Sequence, residues 1–230
     1  YGTRFKDIPR MDDIVCIYDK YDKHLASNNA LDFDDLLIRT LRLLRGNEEA
    51  RDYLSDKFRY ILVDEFQDTN AVQYNIVKLL ASKHRNLFAV GDDDQSIYGW
   101  RGAEIENILR FDKDYPDAKI YKLERNYRST KSILNLANAI IKNNGARHKK
   151  TLWTEAEEGE KPVCFQAEEE ADEALFAART ISSAAAHGEK YSSFAVLMRI
   201  NALTRSYEQE FTKYGIPYKV FGGFRFFERR

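Results

Sequence analysis

Residues 60–70, Tyr-Ile-Leu-Val-Asp-Glu-Phe-Gln-Asp-Thr-Asn, constrain this chain more than any other stretch. Ile61, Leu62 and Val63 form a short apolar, β-prone run without Gly or Pro, the pattern of a strand buried in a parallel sheet. That run leads directly into two adjacent carboxylates, Asp64 and Glu65. The carboxyl end of a buried strand is where α/β sheets bind their ligands. One carboxylate placed there can hold a hydrated Mg²⁺ while the other orients or deprotonates a water, the division of labour that phosphoryl transfer needs. The plainer alternative is an acidic pair that ends a strand and caps the next helix. Gln67, Asp68, Thr69 and Asn70 supply more polar groups than a cap requires, which favours a site.

Around this stretch the pattern alternates. Before it, periodicity predicts helices over 11–25, from Asp32 to Gly46 and from Asn47 to Leu54. The acidic start Asp32-Phe33-Asp34-Asp35 reads as a helix cap rather than a metal site, because helix N-termini favour acidic residues. After it come an expected helix over 71–82, a strand over 87–90, a short helix near 105–111, a strand over 119–123 and a helix over 130–141. Residues 146–161 are polar and read as a surface loop or linker. Beyond them, strands over 163–167, 194–198 and 218–221 are expected to alternate with helices over 171–186 and 203–214, implying a second parallel sheet.

A second polar cluster, Gly91-Asp92-Asp93-Asp94-Gln95-Ser96-Ile97-Tyr98-Gly99-Trp100-Arg101-Gly102-Ala103, also follows a strand and falls on the same sheet edge. Gly91 is expected to allow a sharp turn. Gln95 is a neutral amide that could report on a phosphate or a catalytic water. Tyr98, Trp100 and Arg101 in a Gly-flanked loop suit stacking on unpaired bases beside a phosphate; the alternative is a Trp100 packed into a core. A third cluster, Leu123 to Thr130, opens a helix. Tyr127 there could offer a ring to a nucleobase and Arg128 a guanidinium to a terminal phosphate, as an arginine finger in cis. The alternative is a structural Arg that ties domains together.

The net charge is −1, so any nucleic-acid surface must be a local patch. Two distant cysteines imply neither a disulfide framework nor a metal site. No apolar run approaches membrane-spanning length and the N-terminus lacks a signal peptide's apolar region. A soluble, cytoplasmic protein is the expectation.

Taken together, Asp64-Glu65-Phe66-Gln67-Asp68-Thr69-Asn70, the run from Gly91 to Ala103, and Asn126-Tyr127-Arg128-Ser129 resemble motifs II, III and IV of superfamily 1 DNA helicases of the UvrD/PcrA/Rep group. The resemblance extends to Leu31-Asp32-Phe33-Asp34-Asp35-Leu36 and to residues 220–227. It implies an α/β fold made of parts of two RecA-like parallel-sheet domains of the P-loop NTPase type. A helical accessory segment (1–57) would precede the later part of the first (58–124) and the first part of the second (125–230). It also implies ATP and Mg²⁺ as cofactors, single-stranded DNA and duplex junctions as partners, and contacts with repair or replication proteins. Asp64 would hold Mg²⁺, Glu65 activate water, and Gln95 link the γ-phosphate to the DNA-binding loop. Tyr98, Trp100 and Arg101 would contact single-stranded DNA, Tyr127 would stack on adenine, and Arg128 would meet the γ-phosphate.

No Gly-x-x-x-x-Gly-Lys-Ser/Thr occurs in the 230 residues, so the backbone cradle for phosphates and its Lys are missing. The expectation is an internal piece of a 3′-to-5′ helicase, inactive alone. Two other classes are a nucleic-acid-binding module that never hydrolyses ATP, and a metal nuclease built on Asp32, Asp34 and Asp35 or on Asp92, Asp93 and Asp94. Against the nuclease, no Lys or His stands at a sequence spacing that would complete its site.

Overall fold

A computed structural model describes residues 10–145 and 147–221. Its contacts divide the chain into two units, Tyr1–Gly159 and Glu160–Arg230. The first opens with three helices. Helix α1 (Met11–Ser27) buries none of its residues. Helix α2 (Phe33–Gly46) starts as its sequence predicts, with the Asp32 carboxylate accepting the Asp35 N–H at 2.8 Å. Helix α3 (Glu48–Lys57) starts in the same way, Asn47 accepting the Ala50 N–H at 2.8 Å. Both pack on α4 (Ala71–Leu80), the crossover helix of the sheet. Leu41 and Leu44 form the buried stripe of α2. Buried Ser55 of α3 donates its hydroxyl to the carbonyls of Leu79 and Leu80 (3.3 and 3.0 Å), which satisfies acceptors left open at the end of α4.

Strands β1 (Ile61–Val63) and β2 (Leu87–Ala89) pair in parallel, with Ile61 opposite Leu87, Leu62 opposite Phe88 and Val63 opposite Ala89. The strand–helix–strand order around Asp64 is therefore as expected, but burial on both faces is not. Leu62 is 74% exposed and Phe88 is exposed beside it, so one face of this two-stranded ribbon is uncovered among the described residues. The covered face ends on Phe66, which is fully buried between Tyr74 (centroids 5.6 Å apart) and Phe111 (5.4 Å), both edge-on. Tyr74 donates its hydroxyl to Asp114 at 2.5 Å, tying the short helix α6 (Phe111–Asp114), which follows α5 (Glu106–Leu109), to α4.

The expected strand over 119–123 is absent. Its residues form no ladder and leave Tyr121 and Leu123 exposed, and pairing begins only at Arg125, in a single parallel bridge to Trp153. Helix α7 (Lys131–Ile141) lies where periodicity places it. Only Leu134 of its expected core residues is buried; Ile133, Leu136, Ala137 and Ile140 face outward and Ile141 is half-buried. The polar stretch after it is no free linker. Asn138 brackets Leu152, donating to its carbonyl (2.8 Å) and accepting its N–H (3.2 Å).

In the second unit, α8 (Glu170–Ala186) packs on α9 (Thr204–Lys213) around Ala174, Ala178, Ile181, Tyr207, Phe211 and Ile216. The second parallel sheet is corrected: residues 163–167, 194–198 and 218–221 form no strand among the described residues. Val163, Leu197 and Phe221 are left largely exposed. An apolar alternation sets which face a strand could bury, whereas the hydrogen-bonding neighbour comes from elsewhere in the chain. Residues 222–227, part of the noted resemblance, lie outside the described residues.

Candidate functional site

The carboxylate pair owes its exposure to the way the sheet ends. Val90 donates its N–H to the Val63 carbonyl (2.8 Å) and accepts the Phe66 N–H (2.9 Å). Because one residue of the β2 side spans both bonds, Asp64 and Glu65 are pushed out of the ladder between them. Glu65 pivots this excursion with a left-handed backbone (φ 49°, ψ 44°), a conformation uncommon for a residue with a side chain and found at sites where the surroundings over-determine it. Asp64 Oδ1 accepts the Glu65 N–H at 2.9 Å. Both side chains are exposed and offer hard oxygen donors, which fits Mg²⁺. Burial, reinforced by the charge of Glu65, pushes the nearby Asp68 carboxyl above its usual value.

The second loop meets the first through close backbone packing. A Cβ on Gly91 would stand 2.7 Å from Gln67 Oε1, 2.9 Å from Ile108 Cδ1 and 3.1 Å from the Phe66 nitrogen. Gly91 has no positive φ, so it serves close approach rather than the sharp turn its sequence suggested. Asp92 accepts the Asp94 N–H (3.0 Å) and, through Oδ2, the Gln95 side-chain amide (2.7 Å). Further along, Trp100 is 70% exposed, which sets aside core packing. The Arg101 guanidinium lies 4.7 Å from the Trp100 ring centroid and 5.4 Å from that of Tyr98. The two rings are 6.4 Å apart and tilted by 47°. Left-handed Gly102 closes the turn, and Glu104 ties it back through its N–H to the Thr69 carbonyl at 3.0 Å. An aromatic pair with a cation above it is thereby presented to solvent on a short tether from Gln95.

The third cluster is built by Asn126, whose Oδ1 accepts the N–H groups of Arg128 (2.9 Å) and Ser129 (2.8 Å). Tyr127 projects from this turn, 82% exposed. Arg125, paired with Glu155, places its guanidinium 4.8 Å from the Tyr127 centroid and 5.6 Å from that of Trp153. Among the described residues the Arg128 guanidinium has no hydrogen-bond or ion-pair partner. No hydrogen bond or ion pair among them joins Tyr127 or Arg128 to the other two loops either.

Three residues to which the sequence reading gave no individual role complete the picture. Gln67, in a motif noted for its surplus of polar groups, is buried between the first two loops. Lys150 and Arg147 come from the presumed linker. Lys150 Nζ stands 2.6 Å from Asp92, 2.6 Å from Asp93 and 3.2 Å from Asp94. Arg147 meets Asp94 at 2.7 Å, and the His148 N–H meets Asp93 at 2.5 Å. Burial alone would raise the Asp92 and Asp93 carboxyls; Lys150, with Gln95 at the first and the His148 N–H at the second, holds both below the usual range. Burial works against the Lys150 ammonium, but the same carboxylates raise its pKa. The acidic triplet, close enough to share a cation, thus has its charge met by side chains. A Lys does reach these acids, contrary to what spacing suggested, but as a neutralising partner.

Residues 4–116 match the UvrD/REP helicase N-terminal domain and residues 121–230 the UvrD-like helicase C-terminal domain. The chain belongs to the UvrD/REP helicase family. It is 51% identical over 217 residues to the ATP-dependent DNA helicase PcrA of Staphylococcus aureus (strain NCTC 8325 / PS 47). It is 50% identical over 217 residues to PcrA of Staphylococcus epidermidis (strain ATCC 12228 / FDA PCI 1200). Each match covers 94% of this chain and 30% of the relative, so the chain spans less than a third of these UvrD/REP proteins. The first two loops fall in the match to the N-terminal domain and the Tyr127 turn in the match to the C-terminal domain.

Proposed function

We propose that this chain is the central part of an ATP-dependent DNA helicase that couples ATP hydrolysis to 3′-to-5′ translocation on single-stranded DNA and to unwinding at duplex junctions. One observation carries the reading. The exposed Asp64–Glu65 pair and the exposed Tyr98–Trp100–Arg101 loop are joined by a short, hydrogen-bonded segment that contains Gln95. A change at a terminal phosphate would therefore be felt at a base-stacking platform within a few residues.

In this reading Asp64 holds Mg²⁺, which supplies charge neutralisation on the phosphates when bound. Glu65 takes a proton from the attacking water as its oxygen bonds to the γ-phosphorus and the bond to the ADP oxygen breaks. Gln95 meets the γ-phosphate or the water and relays its departure. Tyr127 stacks on adenine, its outward ring face being free to do so, and the unengaged Arg128 meets the γ-phosphate as charge develops. Tyr98 and Trp100 stack on unpaired bases while Arg101 meets a phosphate. The β1–α4–β2 unit belongs to a first RecA-like domain (58–124), preceded by a helical accessory segment (1–57). Residues 125–230 open a second RecA-like domain. The protein works in the cytoplasm with repair or replication proteins. The 230 residues alone, without a phosphate cradle, do not turn over ATP.

The test is Glu65→Gln in the complete protein that carries this chain. The amide keeps the shape and cannot take the proton. Steady-state turnover should disappear while fluorescent-nucleotide binding stays within about twofold, whereas Asp64→Asn should weaken the Mg²⁺ dependence of binding. Retained turnover in Glu65→Gln would defeat the reading.

A further inference from the structure

The proposed chemistry assigns no task to Gln67, although its side chain is only 1% exposed and lies directly behind the carboxylate pair. It sits in the single helical turn Phe66–Asp68 and its amide faces two ways. Nε2 donates to Glu65 Oε2 at 2.8 Å, and Oε1 accepts the Asp92 N–H at 2.9 Å. Its own carbonyl accepts the Ser96 hydroxyl at 3.4 Å. Asp92 then receives the Gln95 amide at 2.7 Å. A continuous path of hydrogen bonds runs from Glu65 through Gln67 and Asp92 to Gln95. Gly91 makes room for it, since a Cβ there would intrude on the Gln67 oxygen.

The residue type matters because a carboxamide carries a donor and an acceptor on one planar group. Glutamate at this position would still accept from Asp92 but would set a second carboxylate against Glu65. Methionine would fill a similar volume and make neither bond. Glu65 is exposed and on a left-handed backbone, so without this donor its carboxylate is free to leave the one orientation seen here.

We infer that Gln67 is a positioning residue that holds the Glu65 carboxylate in register with the Gln95 loop, so that the base and the phosphate-reporting amide move as one. This rests on Glu65 being the group that activates water. In the complete protein, Gln67→Met should lower kcat about ten- to a hundredfold, the scale of one hydrogen bond to a charged group. The KM for ATP should stay within about twofold, because the bond orients a reacting group without touching nucleotide. The ratio of DNA-stimulated to basal turnover should also fall. Should Gln67→Met fail to fold, Gln67→Glu keeps the oxygen used by the Asp92 N–H while replacing the donor to Glu65 with a repelling carboxylate oxygen. The same kcat loss is expected of it. Unchanged kcat in a folded variant, or a rise in KM alone, would overturn the inference. If Glu65→Gln is inactive and Gln67→Met behaves as wild type, only the role of Gln67 falls. If Glu65→Gln itself turns over, the functional reading falls with it.

Discussion

Trp100 shows how exposure separates roles that residue type leaves open. A tryptophan 70% exposed with a guanidinium above its ring buries too little apolar surface to stabilise the fold by packing. Trp100→Ala should therefore change unfolding free energy by no more than about 0.5 kcal/mol, as for other surface changes. On the proposed function it should cost about 1–3 kcal/mol of single-strand affinity, the scale of one stacked base, with the salt dependence unchanged because no charge is lost. Arg101→Ala should weaken binding and flatten the salt slope by about one phosphate contact. Thermal unfolding and oligonucleotide titrations at several salt concentrations check both. A strongly destabilised Trp100→Ala would contradict the exposure seen here.

At the scale of elements, the clasp between the Asp92–Asp93–Asp94 turn and the stretch carrying Arg147 and Lys150 holds a polar loop in a fixed place. Lys150→Met leaves three close, poorly solvated carboxylates without their ammonium and should destabilise by about 3 kcal/mol, the cost of breaking a buried pair from one side. The pH dependence follows from the directions of the shifts. Asp92 and Asp93 are held below their ordinary values, so their contribution is complete above about pH 4 and is lost as pH falls through the lower folded values. Lys150 is raised, so its contribution is complete below about pH 10 and is lost as pH rises through its higher folded value. The stability difference between wild type and Lys150→Met should be largest near neutral and mildly alkaline pH and shrink as acid protonates carboxylates that burial raises once Lys150 is gone. Denaturant unfolding across that range measures it, and a difference independent of pH would mean that Lys150 acts by packing alone.

For the whole molecule, the three loops present exposed carboxylates, an exposed aromatic pair beside Arg101, and Arg128, but no Gly-x-x-x-x-Gly-Lys-Ser/Thr occurs in the 230 residues. Backbone N–H groups and the Lys of that motif provide most of the hold on β- and γ-phosphates. The isolated chain should show no phosphate release above background, with or without single-stranded DNA. The complete protein should show turnover stimulated by the same DNA. Robust stimulated turnover from the 230 residues would mean that this chain builds its own nucleotide site by other means.

What depends on neighbours a few residues away is legible in the amino-acid order. The caps at Asp32 and Asn47, the helices over 11–27, 71–80, 131–141, 170–186 and 204–213, and the strands flanking Asp64 and Gly91 all follow from local spacing and side-chain chemistry. The motif content of residues 64–70, 91–103 and 126–129 sufficed to place the chain in its family. Tertiary structure alone decided what depends on partners far along the chain. Strands expected at 119–123 and in the second unit find no pairing neighbours among the described residues, since hydrogen-bonded registry is non-local. Lys150 reaches Asp92 across 58 positions and Gln67 reaches Asp92 across 25. Neither contact leaves a periodic trace. The left-handed turn at Glu65 arises because Val90 bonds on both sides of it, which no reading of residues 60–70 alone contains.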